Sequence, residues 1–210
     1  LRIFFSKLLK MKVLKFGGSS VASSKNIQKV LAIVSKSSEE QDIVVVVSAF
    51  GKTTNALIKG ATLAAQKNED YLEVLKELEN NHFNIIKELL PVKEQSSVNG
   101  YVKQLFNHLE TIYEGCFLLR ELSPKTLAKV SSFGELLSSY IISQAANESF
   151  KAVYKDTREL IVASDNYNNA LVDFSATFKN CQEYFSSRSQ KVTIVPGFVA
   201  RTINGKTTTL

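Results

Sequence analysis

A three-layer αβα sandwich around a mainly parallel sheet, an α/β fold, is predicted by three features of the sequence. A short strand pattern breaks at Gly17-Gly18 and gives way to a helical repeat. The run Ile43-Val44-Val45-Val46-Val47 is continuously apolar rather than alternating, as in a strand covered on both faces by helices. Strand and helix signals then recur to the end of the chain, in the order that builds βαβ units.

Taken in order, residues 12–16 read as the first strand. A helix follows at 24–37, where Ile27, Val30, Leu31 and Val34 repeat at helical spacing and Ser23 or Ser24 can cap. After the strand at 43–47, residues 48–55 read as a loop and 56–65 as a helix. Tyr71, Leu75, Leu78, His82, Ile85 and Leu89 share one face of a long helix that must stop before Pro91. Leu105, Leu109, Ile112, Cys116 and Leu119 share a face of the next. Pro124 suits a helix start after Ser123, and that pattern runs to about Asn147. Residues 151–154 read as a strand, 175–187 as a helix and 192–195 as a buried strand. Phe198 to Thr202 and Lys206 to Leu210 flank Asn204-Gly205, a hairpin signal because both residues tolerate positive φ.

Composition narrows the class. At ~150 residues per domain, 210 residues make one domain, or one domain and a fragment. Apolar residues at 44% with only 9 Gly and 3 Pro exclude collagen-like and disordered chains. The net charge of +6 is dispersed, which favours anionic ligands but predicts no nucleic-acid partner. No apolar run approaches ~18 residues, so no membrane partner is expected. Cys116 and Cys181 stand apart from each other and from both histidines; this excludes a zinc site or disulfide framework and fits a reduced, cytoplasmic setting. Met11, the sole methionine, is the expected start, with 1–10 a non-functional extension. The stop at Leu210, inside a strand pattern, gives the expectation of a truncated chain with an edge prone to self-association.

Several segments suggest chemistry, each with a plainer reading beside it. Gly51-Lys52-Thr53 stands where a phosphate loop would, but that loop needs an earlier glycine where this chain has Val46; Gly205-Lys206-Thr207 likewise has Ala200. Lys15-Phe16-Gly17-Gly18-Ser19-Ser20 places a cation, bare backbone and hydroxyls at a strand's carboxyl end, a phosphate-binding arrangement or else a glycine-rich turn beside an exposed lysine. Ser48, Thr54 and Asn55 flank a second carboxyl end, where open α/β sheets bind ligands, although Thr54 and Asn55 can equally cap a helix. Glu135 follows Gly134 inside an apolar helical stretch. Gly there costs ~1 kcal/mol relative to Ala, so something approaches the backbone closely, or Glu135 lies on an exposed stripe. His82 and His108 read as structural or exposed, and neither a Ser-His-Asp set nor a metal helix is present.

Lys15-Phe16-Gly17-Gly18-Ser19-Ser20-Val21, Val47-Ser48-Ala49 with Thr54-Asn55, Ser132-Phe133-Gly134-Glu135 and Pro196-Gly197-Phe198, in this order, resemble the signature blocks of aspartokinases, members of the amino acid kinase family. The resemblance covers nearly everything after Met11. Glu121 to Thr126 and Phe133 to Ser139 look like the form fused to homoserine dehydrogenase.

The resemblance implies the amino acid kinase fold, with 11–210 its N-terminal, aspartate-binding part. It implies phosphorylation of the L-aspartate β-carboxylate by ATP with Mg, the first step towards lysine, threonine and methionine, in a protein that is homo-oligomeric at full length. Lys15 would be catalytic, with Gly17, Gly18 and Ser19 beside it around the phosphates. Ser48, Thr54, Asn55, Glu135 and Phe198 would surround the aspartate, with Glu135 facing its α-ammonium group. The family more often has Thr at Ser19 and Gly or Ala at Lys52. Its Gly-Arg-Gly-Gly-Ser-Asp block and nucleotide-binding half, which follow Thr-Thr-Leu, are not in these residues, so the chain alone is expected to be inactive, with ATP and Mg held mainly by that half. The other readings are a P-loop-like nucleotide hydrolase and a non-catalytic aspartate-binding fragment.

Overall fold

Residues 11–210 are described by a computed structural model; the expectation for 1–10 lies outside them. In chain order they form β1 (Met11–Phe16), α1 (Ser24–Ser38), β2 (Asp42–Val47), α2 (Thr53–Ala65), α3 (Tyr71–Leu89), α4 (Val92–Leu119), α5 (Pro124–Ala146), β3 (Ala152–Tyr154), β4 (Val162–Ala163), α6 (Phe174–Ser187), β5 (Val192–Pro196), β6 (Val199–Thr202) and β7 (Thr207–Thr209).

The helix boundaries follow local chemistry. Ser23 accepts the Asn26 N–H (3.3 Å), Ser123 the Thr126 N–H (3.2 Å) and Asp173 the Ala176 N–H (3.0 Å), each supplying one acceptor to the unpaired amides of a first turn. Pro124 occupies the start of α5, where its missing N–H costs nothing. Leu90 is driven into the extended region by Pro91, which ends α3.

The four-stranded sheet has the order β1-β2-β5-β3, with every pair parallel. A smaller sheet, β4-β6-β7, joins a parallel pair to the expected hairpin; Gly205 at its turn has φ of +73°. Alternation within the strands assigns the faces. Leu14, Phe16, Ile43, Val45, Val47, Val192 and Ile194 join one core with the apolar stripes of α1 to α5. Crossovers β1-α1-β2 and β2 to β3 step one way along the sheet and β3-α6-β5 steps back, so right-handed connection puts α6 on the opposite face. There the Thr177 hydroxyl accepts the Val162 N–H (3.1 Å), which ties α6 to β4.

Helix α4 departs from the periodicity, whereas His82 keeps to it. Helix α4 is longer than its apolar repeat suggested, and it buries Val98, Val102, Phe106, Leu109, Tyr113 and Cys116, leaving Leu119 exposed. The aromatic residues decide that rotation: Tyr113 crosses to α2, donates its hydroxyl to Leu57 O (2.7 Å) and fills the space that Gly60 leaves open. His82, read as structural or exposed, is 1% exposed and packs against Phe50 and Phe106.

Burial lowers the His82 pKa from 6.5 to about 4, opposed only by its contact with Leu78 O. The unfolded chain therefore binds this proton more readily, and stability is lost as pH falls from 6.5 towards 4. The loss should approach ~3 kcal/mol. Urea midpoints of the wild type should fall across that window relative to His82→Gln; parallel curves would remove His82 as the cause.

Candidate functional site

The carboxyl ends of β1, β2 and β5 converge on one edge of the sheet, the edge at which α/β sheets place ligands. A cavity of about 560 Å³ lies there, lined by Lys15, Val46, Val47, Ser48, Thr54, Glu135, Gly197, Phe198 and Leu210. Five of the predicted site residues thus meet: Lys15, Ser48, Thr54, Glu135 and Phe198.

Each arrives by a different route. Lys15 lies one residue before the end of β1, on the strand face opposite Leu14 and Phe16, so its side chain leaves the sheet away from the helical core, and it has no ion-pair partner among the described residues. Ser48 directly follows β2, its N–H held by Phe16 O (3.1 Å). Helix α2 begins at Thr53, so Thr54 and Asn55 lie inside its first turn and the capping reading fails. Thr54 faces the cavity, whereas Asn55 is exposed and does not line it. Phe198 has φ of +63°, sparsely populated for a residue with a side chain, and sits between Gly197, whose N–H bonds Val47 O (2.8 Å), and Val199, whose N–H turns back to Gly197 O (2.7 Å). Such strain, of order 1–3 kcal/mol, persists where surrounding structure imposes it and is commonest at functional sites.

Glu135 is the unusual member. The exposed-stripe reading is overturned: the residue is 5% exposed, inside an α5 buried along most of its length. Oε1 accepts the Ala49 N–H (3.2 Å), and Oε2 is buried with no hydrogen-bond partner among the described residues. Burial pushes the carboxyl up to about 7, against the Ala49 bond that lowers it. A buried acceptor left unpaired costs ~1–3 kcal/mol, and the group can regain this from a cationic donor entering the cavity.

Gly134 explains the close approach. A Cβ there would come within 2.7 Å of the Ala49 Cβ, and no flexible side-chain end is available to yield. Gly134→Ala gains ~1 kcal/mol of helix propensity but overpacks this contact at ~1–3 kcal/mol. Net destabilisation of up to ~2 kcal/mol is expected, with loop 48–50 lifted from α5. A variant with an unchanged urea midpoint would show that the loop moves freely.

The remaining phosphate-site residues lie beside the cavity, not in its lining. Gly17 is exposed, with open space where a Cβ would stand, and Ser19 is exposed. Gly18 has a packing reason to lack a side chain, since a Cβ would press on Ala49 O and Gly51 O at 3.1 and 3.2 Å. A short 3₁₀ turn, Gly18–Val21, separates these residues from α1. Gly51-Lys52-Thr53 cannot act as a phosphate loop with a free hydroxyl, because Thr53 Oγ1 donates to Phe50 O (2.7 Å). A second cavity of about 490 Å³, between that loop and α3, contains none of the predicted site residues. Among the described residues no His, Cys, Asp and Glu cluster is placed to hold a metal, and no helix is long and apolar enough to cross a membrane. Sequence reasoning missed Ala49, whose backbone, invisible to side-chain motifs, meets Glu135.

Comparison with known proteins converges on one family. The chain is 31% identical over 196 residues to the bifunctional aspartokinase/homoserine dehydrogenase of Buchnera aphidicola, covering 90% of this chain and 24% of that protein. It is 33% identical over 161 residues to the chloroplastic aspartokinase 1 of Arabidopsis thaliana, covering 75% of this chain and 27% of that protein. It thus spans about a quarter of the length of these relatives. Among solved structures, Escherichia coli aspartokinase III in complex with aspartate and ADP superposes with a TM-score of 0.84 at 26% identity, over 94% of this chain and 43% of that one. The form bound to lysine and aspartate gives 0.82 at 25% identity, with the same coverage. This likeness bears out the expected αβα architecture, and since the amino acid kinase family profile matches residues 10–209, the chain belongs to that family.

Proposed function

We propose that residues 11–210 form the acceptor-binding part of an aspartate kinase, which transfers the γ-phosphoryl group of ATP to the β-carboxylate of L-aspartate. The observation that carries the reading is Glu135: a buried carboxylate with one oxygen unpaired, in the same cavity as Lys15. An amino acid whose ammonium group meets Glu135 and whose side-chain carboxylate turns towards Lys15 satisfies both. Ser48 and Thr54 offer hydroxyls between them, and Phe198 closes one wall. Asn55 lies one helical position beyond Thr54, exposed and outside the cavity lining.

The chemistry asks little covalent work of the protein. With a pKa of ~3.9 the acceptor carboxylate is ionised at neutral pH and needs no general base. Positioning, and positive charge against the transferring group, are what the reaction requires. Lys15 supplies that charge, with Gly17, Gly18 and Ser19 beside it. ATP brings the phosphoryl group; among the described residues no His, Cys, Asp and Glu cluster is placed to hold its Mg²⁺. Similarity to aspartokinases, one of them solved with aspartate and ADP bound, supports the reading.

The test is trapping of aspartyl phosphate as its hydroxamate, using the full-length protein with ATP and Mg²⁺. L-Aspartate should support hydroxamate formation, and L-glutamate should not. Turnover with another acceptor while aspartate remains inert would overturn the proposal.

A further inference from the structure

The Ser48–Ala49 peptide is gripped from both of its ends by α5. Ser138 Oγ donates to Ser48 O (2.8 Å), and Ala49 N–H donates to Glu135 Oε1 (3.2 Å). These two backbone groups belong to one planar peptide unit, so fixing the carbonyl fixes the N–H. Glu135 and Ser138 are three residues apart and therefore share a helix face. Nearby serines behave differently: Ser132 and Ser143 return their hydroxyls to carbonyls of α5 itself, Lys129 O and Tyr140 O, at 2.7 Å each. Ser138 also touches Glu135 O (3.2 Å), but its shorter bond leaves the helix for the loop that carries Ser48. It is fully buried.

We propose that Ser138 is a positioning residue for the acceptor substrate: its hydroxyl holds the Ser48–Ala49 peptide so that Ala49 N–H occupies Glu135 Oε1, which leaves Oε2 for the substrate's ammonium group. This inference rests on the aspartate reading above. Without the hydroxyl the peptide plane can rotate, the N–H leaves Oε1, and Glu135 loses both its orientation and the one backbone donor from another element that favours its ionised form. Lys15 is the other titratable side chain lining the cavity, and it is untouched by the change.

Ser138→Ala provides the test, since alanine fits the space and favours the helix. Two quantities are read: the KM for L-aspartate in the full-length protein, and the Glu135 titration by NMR of a ¹³C-labelled carboxyl without substrate. KM should rise about 5- to 10-fold with kcat within about twofold, as for loss of one buried hydrogen bond. The Glu135 midpoint should move upward by about half a unit to one unit. Ser143→Ala should change neither. A folded Ser138→Ala protein in which Glu135 titrates as in the wild type overturns the proposal, whether or not KM moves, and so does an unchanged KM. Glu135→Gln separates the two levels: if it leaves the aspartate KM untouched, the aspartate reading itself fails, whereas a raised KM there with Ser138→Ala silent removes only this inference.

Discussion

Lys15→Ala should lower kcat for aspartyl phosphate formation by ~10²-fold or more while the KM for aspartate changes far less. The expectation follows from where the charge is needed. In the ground state the acceptor carboxylate and the phosphates are each already solvated or paired. In the transition state, charge is spread over the transferring group, and a fixed cation is then worth more than before. Lys15 lines the cavity from one residue before the end of β1, on the strand face away from the helical core, and forms no ion pair among the described residues. It is therefore free to meet that charge. Lys15→Arg should restore little, because a planar fork on a longer stem does not replace a compact ammonium group. Steady-state kinetics on the folded variants decide the matter. A change of less than twofold in Lys15→Ala would make this an exposed surface lysine.

The strands and helices were legible wherever one physical signal dominated. The continuous run 43–47 gave β2, Asn204-Gly205 gave the hairpin, and Pro91 and Pro124 gave helix limits. Other features depended on contacts between distant segments. Strand β4 has two residues, too few for a period, and exists because β6 and the Thr177 hydroxyl of α6 hold its backbone. The face of α4 was misjudged because Phe106 and Tyr113 fill space left by other helices. At the site, residue types were readable and placement was not. Thr54 and Asn55 are adjacent, yet the start of α2 at Thr53 turns one into the cavity and the other to the surface. The oddity of Gly134 beside Glu135 was visible as a helix-propensity cost, but its cause, the Ala49 loop lying against α5, joins residues 86 positions apart.

Glu135→Gln should separate binding from stability, and in opposite directions. A contact to the α-ammonium group is equally present in the ground and transition states, because the reacting carboxylate is at the far end of aspartate. A charged hydrogen bond is worth ~1.5–3 kcal/mol, so the KM for aspartate should rise roughly 10- to 150-fold, with kcat and the KM for ATP nearly unchanged. The pH dependence carries the same signature. Burial holds the wild-type carboxyl at about 7, so its affinity for an ammonium group should weaken as pH falls from 8 to 6, whereas the Gln variant should be flat across that range. For the substrate-free fold the sign reverses. A carboxyl raised from 4.5 to about 7 contributes stability below 4.5 and loses it as pH rises through 7. Gln never ionises and avoids that loss of ~3 kcal/mol, while its amide nitrogen, standing where Oε2 had no partner, gives back ~1. At pH 8 the variant should therefore be more stable than the wild type by ~2 kcal/mol, and near pH 4 it should have no such advantage. Urea unfolding at the two pH values, set beside the aspartate KM, tests both halves together. A variant that binds aspartate as well as the wild type, or gains no stability at pH 8, would mean that Oε2 is not held unpaired for a substrate.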